Sequence, residues 1–170
     1  GLAMVRGSAA ATRAASELTG QGAGLQTTLT GAGAAWSEAA GGTSGALWGA
    51  LLTALGTSLG DELAPDPQAL GRAAASGLAT IQQLGSAQVG DKTLVDALAP
   101  AVAAFEAGLA AGQPMAQALV DASDAADAGA ASTIDLVARL GRSRPLGERS
   151  RGTADPGATS LAMIVRLLAR

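Results

Sequence analysis

Three short segments of the chain carry residue types and spacings that could do chemistry. The first is GGTSG at residues 41–45, set at the start of a strongly apolar run. A helix N-terminus exposes unpaired amides and the positive end of the macrodipole, and glycines let an anion approach the backbone, so phosphate is the natural ligand. The GxxxxGK[ST] pattern of a P-loop is absent. A glycine-rich turn capped by Thr43 or Ser44 is the alternative reading. The second segment is GDKT at residues 90–93, followed by Asp96 and Pro100. Lys92 and Thr93 are placed to touch a polyanion, while Asp91 reads as the N-cap of a helix beginning at Lys92, and the capping role is the better of the two. The third is RSRPLGERSRGTADP at residues 142–156, which concentrates Arg142, Arg144, Arg149 and Arg151 with Glu148 and Asp155. Long loops inside a domain are functional or disordered, and several arginines can clamp a phosphate bidentately. A charged contact with a partner protein, or a plain solvated loop, would have the same composition.

What is missing narrows the chemistry further. The chain has no cysteine and no histidine, which removes disulfides, thiolate nucleophiles, imidazole bases and the usual zinc sites. Its 11 basic against 14 acidic residues give a net charge of -3, which argues against a general electrostatic grip on nucleic acid, since that needs a basic face to displace phosphate counterions. Carboxylates, hydroxyls, Arg, Lys, backbone amides or a bound ligand must do any chemistry. Asp121, Asp124 and Asp127 read as a solvated helix face rather than a metal cluster. The absence of cysteine is compatible with the cytoplasm.

The elements that position these segments are helices. Apolar residues recur at helical spacing nearly throughout, β-branched runs of strand length are missing, and the fold class is all-α. Seven helices are predicted, over residues 2–18, 22–40, 44–59, 67–84, 92–111, 114–141 and 157–170. Pro67 and Pro114 suit first-turn positions, and Gly20, Gly60, Gly85, Gly112 and Gly141 stand where helices stop. With 170 residues, no linker and only Trp36, Trp48 and Phe105 as aromatics, the chain reads as one domain with a core of Ala, Leu and Val. The uncharged stretch at residues 39–60 is long enough for a membrane span, but its glycines, serines and threonines make it a buried helix of a protein that is not transmembrane. Arg6 interrupts the run where a secretory signal would need its apolar core.

Taken jointly, GGTSGALWG at 41–49, VGDKTLVDALAP at 89–100 and ARLGRSRPLGERSRGTADPGATS at 138–160 resemble the nucleotide-binding domain of dihydroxyacetone kinases, the L subunit where it is a separate chain. The last string is the most specific. The resemblance implies an antiparallel barrel of eight amphipathic helices binding a nucleotide at one end and, in some members, a lipid in its interior. About seven helices are present here, so an upstream helix and a metal-binding loop are expected before Gly1. Gly1, Met4 and Gly7 match the family's continuation from that loop. The ligands of the Mg2+ that accompanies ADP or ATP are accordingly expected upstream of Gly1, and no residue of this chain is assigned to a metal.

By residue, the resemblance places Thr43 and Ser44 at the phosphates with Gly1, Leu2 and Ala3 beside them. Gly85 and Leu94 would line the nucleotide pocket, Arg142 would approach the phosphates as the catalytic candidate, and Asp155, Pro156 and Gly157 would close over the nucleoside. Ala3, Arg144 and Pro145 depart from the family's usual residues, and Arg149 and Arg151 are expected to order the loop or meet a partner. The implied reaction is phosphoryl transfer to dihydroxyacetone or a similar short ketose. The ketose is held by a separate K subunit or domain through a histidine that this chain lacks, so the chain alone would be inactive. The donor is ATP, or a phosphotransferase-system protein that rephosphorylates bound ADP. A non-catalytic Ala/Gly-rich helical protein, serving interaction or lipid carriage, is the second reading; it accounts for the Gly45 and Gly49 spacing but not for the charged loop.

Overall fold

A computed structural model describes residues 1–61 and 64–170. Among these there is no strand: seven α-helices, α1 (Leu2–Gly20), α2 (Leu25–Ala40), α3 (Gly42–Leu59), α4 (Pro67–Gly85), α5 (Val95–Ala110), α6 (Met115–Ser132) and α7 (Pro156–Leu168), are joined by short connections and two 3-10 turns, Thr133–Asp135 and Arg144–Ser150. The chain divides into two compact units, Gly1–Gly85 and Ser86–Arg170.

In the first unit, small residues let helices approach until their backbones touch. A β-carbon on Gly33 of α2 would lie 2.6 Å from the carbonyl oxygen of Gly49 in α3, and one on Gly49 would lie 2.7 Å from that of Gly33. Gly45, the other small residue of that spacing, would meet the Ser37 carbonyl oxygen at 2.9 Å. These pairs run α2 and α3 antiparallel. Trp36 and Trp48 stack across the same seam, with ring centroids 5.0 Å apart and planes 15° from parallel, a geometry that adds to the area the rings bury. Gly7 of α1 lies against the Trp36 indole, with room for no side chain. The apolar stretch at 39–60 is therefore the buried α3, with Trp48 and Leu51 inside, and no helix among the described residues is long and apolar enough to cross a membrane.

In the second unit, α5 is the buried element: Val95 and Ala97 are fully covered, and Phe105 and Leu109 fill the core. Pro100 lies inside α5, and a proline there cannot return a hydrogen bond to the carbonyl four residues earlier. That carbonyl belongs to Asp96. Gly129 of α6 packs on it so closely that a β-carbon would sit 2.2 Å from the oxygen.

Two differences from the predicted helix boundaries bear on the site. The helix expected to begin at Lys92 begins at Val95, because Lys92 has a left-handed backbone (φ 61°) and Asp96 ties the preceding loop. Asp91 caps no helix; its carboxylate accepts from the Gln88 amide. The helix expected to reach Gly141 stops at Ser132, where Thr133 turns its hydroxyl back onto the Ala130 carbonyl and the backbone tightens into a 3-10 turn. Residues 142–156 are also not structureless, since half of them form the Arg144–Ser150 turns, kinked at Gly147.

Candidate functional site

The first unit supplies a helix start without a cap. Gly41 and Gly42 both have left-handed φ, 64° and 61°, a conformation glycine adopts without steric cost. No side chain caps α3, and Gly45 is the residue whose amide returns to Gly41, at 3.1 Å. The alternative in which Thr43 or Ser44 caps the turn is thus replaced by a cap at Gly41, and the amides of Gly42, Thr43 and Ser44 stay open at the positive end of the dipole. Thr43 is exposed and Ser44 half-buried. The antiparallel pairing of α1 with α2 and of α2 with α3 brings the start of α1 to this same end of the unit. There, Gly1 precedes the first turn, Leu2 is 80 % exposed and Ala3 half-buried. Gly85 is the last residue of α4.

The second unit gathers a different group at the starts of α5 and α7. A β-carbon on Gly157 would lie 3.3 Å from that of Leu94, so Leu94 and the turn at 155–157 are neighbours. Asp155 caps α7: its carboxylate accepts from the Ala158 amide at 2.8 Å, and its own amide donates to Thr133 Oγ1 at 2.8 Å. Asp96 bridges the other side, accepting from the amides of Gly90 at 2.6 Å and Thr93 at 2.7 Å. Lys92 does not face a polyanion. It is 4 % exposed, and its ammonium donates to the carbonyl oxygens of Thr133 and Thr153. Ser150 completes the frame, its Oγ accepting from the Ala138 amide and donating to the Gly147 carbonyl.

Arg142 stands on the exposed turn after Gly141 (φ 67°) and makes no ion pair among the described residues. Arg151, just after the 3-10 turns, pairs with Glu148 at 3.2 Å, and Arg149 is exposed. Asp127 takes Arg166 of α7 as a partner, and Asp121 accepts from Gln117, so two acids of the α6 face are engaged locally. Sequence reasoning missed Thr133, Ser150 and the inward turn of Lys92. An uncharged hydroxyl gives no periodic signal, and the Lys92 contacts span 41 and 61 residues.

The Asp155 carboxyl is held above its ordinary range by burial; the Ala158 and Gly157 amides oppose the shift, nearby Asp96 adds to it and Lys92 subtracts. An acid whose pKa is raised on folding binds its proton more tightly folded than unfolded. Its contribution to stability is therefore fully present below the unfolded pKa and is lost as pH rises through the folded value. D155N keeps an oxygen for the Ala158 amide and removes the titration. Urea midpoints of wild type minus D155N are expected to fall as pH rises from below the ordinary carboxyl range through the raised folded value; parallel profiles would show that residue 155 is not the group responsible.

Each unit is wholly helical among the described residues, and the first ends its α2–α3 turn in a helix start that no side chain caps. The chain belongs to the DAK2 domain family, whose model matches residues 1–170. It is 46% identical over 169 residues to a D-erythrulose kinase of Mycolicibacterium smegmatis, covering 99% of this chain and 29% of that protein. It is 42% identical over 85 residues to the ADP-binding subunit DhaL of the PEP-dependent dihydroxyacetone kinase of Escherichia coli, covering 50% of this chain and 40% of the subunit. The structure is similar, with a TM-score of 0.64 and 34% identity, to that of the dihydroxyacetone kinase from C. freundii in complex with AMP-PNP and Mg2+, over 95% of this chain and 26% of that one. The chain thus spans less than a third of the erythrulose kinase it matches.

Proposed function

We propose that the chain is the nucleotide-binding part of a kinase that phosphorylates a short-chain ketose. The observation that carries this reading is the uncapped start of α3 behind two left-handed glycines, with the Thr43 and Ser44 hydroxyls beside open amides. Backbone amides there suit the phosphates of ADP or ATP, with Gly1, Leu2 and Ala3 alongside and Gly85 and Leu94 against the nucleoside. Asp155, Pro156 and Gly157 close over the nucleoside, and Arg142, unpaired and exposed, neutralises charge on the phosphoryl group in transfer. The relatives' names support a nucleotide and a ketose: one is an erythrulose kinase, one an ADP-binding subunit, and the solved neighbour holds AMP-PNP.

The ketose itself is assigned to a separate K subunit or domain, without which this chain is inactive. The donor is ATP or, on the pattern of the PEP-dependent relative, a phosphotransferase-system protein acting on bound ADP. Magnesium accompanies the nucleotide analogue in the solved neighbour. No group of three or more His, Cys, Asp or Glu side chains that could hold a metal occurs among the described residues, and Asp96 and Asp155 spend their carboxylates on backbone amides. The described residues do not make a magnesium site of their own.

Ser44→Leu tests the reading. Losing a hydroxyl bonded to a charged ligand costs about 1.5–3 kcal/mol, so ADP affinity in calorimetry is expected to drop roughly ten- to hundredfold while circular dichroism stays helical. Unchanged affinity would remove the α3 start from the site.

A further inference from the structure

We propose that Lys92 is a positioning residue for nucleotide binding: its buried ammonium, clasped by the carbonyl oxygens of Thr133 and Thr153, sets the path of the turn that delivers Asp155, Pro156 and Gly157. The inference rests on the assignment of that turn to the nucleoside in the preceding section.

The observations converge on one small frame. Lys92 reaches its place only by taking a left-handed backbone, unfavourable for a residue with a β-carbon and maintained only where the surroundings over-determine it. An ammonium removed from water needs its donors satisfied, and here two of its N–H groups donate to main-chain carbonyl oxygens on separate segments, one just after α6 and one two residues before Asp155. The Thr133 residue that gives one carbonyl to Lys92 also receives the Asp155 amide on its hydroxyl, and it is wholly buried. The Ile134 carbonyl receives the Gly152 amide at 2.8 Å, a second tie between the same two segments. Asp96, whose carboxylate holds the Gly90 and Thr93 amides, keeps the loop carrying Lys92 closed and brings Leu94 against Gly157. A single cation therefore connects the end of α6, the turn before α7 and the start of α5. No salt bridge joins Lys92 to a carboxylate among the described residues. Its bonds to carbonyls leave the Asp155 oxygens free of a direct cation, able to cap α7 and to meet a ligand.

The chain has no cysteine, which permits a chemical test at one atom. Lys92→Cys, alkylated with 2-bromoethylamine in denaturant and refolded, regains an ammonium at nearly the original reach; alkylation with bromopropane gives the same length without charge. ADP titration calorimetry of the full chain is expected to show the aminoethylated protein within about twofold of wild type and the propylated protein at least roughly tenfold weaker, both helical by circular dichroism. Equal affinity of the folded propylated and aminoethylated proteins would overturn the proposal. Thr133→Val keeps the shape and removes the acceptor for the Asp155 amide, and it serves if the uncharged Lys92 derivatives do not refold. It is expected to weaken ADP about three- to tenfold, and unchanged affinity there would equally sink the idea. Should wild type itself bind no ADP, the nucleotide reading fails and this inference falls with it.

Discussion

Gly129→Ala is expected to destabilise residues 86–170 by about 3 kcal/mol, at the upper end of what overpacking costs. The added β-carbon would lie 2.2 Å from the Asp96 carbonyl oxygen, 2.9 Å from Pro100 Cγ and 3.0 Å from Ala97 Cα. None of these is the end of a flexible side chain. The Asp96 carbonyl is left open by Pro100, so α6 has settled on bare backbone, and separating the helices would uncover Val95 and Ala97, both fully buried. Gly20→Ala is the control. It is helical, exposed and has nothing within 4 Å of a new β-carbon, and there helix propensity predicts a gain of up to about 1 kcal/mol. Urea denaturation of the two variants should therefore shift in opposite directions; a midpoint for Gly129→Ala equal to that of wild type would show that α5 and α6 do not pack at Asp96.

The second large effect is expected at Trp36. Trp36→Ala removes a 6 % exposed side chain stacked on Trp48 and bearing on Gly7. A cost of about 3–5 kcal/mol is anticipated for a buried tryptophan. Because Trp48 follows Thr43 and Ser44 in α3, loosening the stack should also weaken ADP binding. Trp36→Phe is informative beside it. The indole Nε1 is buried and has no hydrogen-bond partner among the described residues, so phenylalanine sacrifices ring area but also removes an unsatisfied donor. Its cost should be well below that of alanine, about 1–2 kcal/mol. Thermal melts of the two variants check this, and equal losses would mean that Nε1 is satisfied in solution.

These two sites illustrate how the fold could be read before any coordinates. Glycine spacing in GGTSGALWG pointed to close helix approach, and a β-carbon on Gly33, Gly45 or Gly49 would lie under 3 Å from a backbone oxygen. Helical periodicity, with glycine as the stop and Pro67 as a first-turn residue, located α1 to α4 to within a few residues. Such signals are local: a helix advertises its apolar face every three or four residues, and a left-handed stop needs only glycine. The same reasoning overran α6 by nine residues, from Ser132 to Gly141, because the alanine-rich sequence there has good helix propensity and the reason to stop lies in tertiary bonds from Lys92 and Asp155 to Thr133.

The candidate site divides along the same line. The helix start at Thr43 and Ser44 was legible because a glycine-rich turn into a helix is built from adjacent residues. Asp155 was legible too, standing next to the proline that opens α7. By contrast, the sequence favoured Asp91 as the cap of a helix from Lys92, whereas α5 starts at Val95 with no side-chain cap; the turn at Lys92 moved the helix start and gave the loop amides to Asp96. Composition and periodicity by themselves determined an all-helical chain without histidine or cysteine chemistry, and the glycines at 41 and 42 marked where α3 begins. Only the tertiary structure decided that the Lys92 ammonium turns inward, since the balance between water and protein depends on two carbonyls 41 and 61 residues away, and desolvating a charge is favourable only where such partners converge.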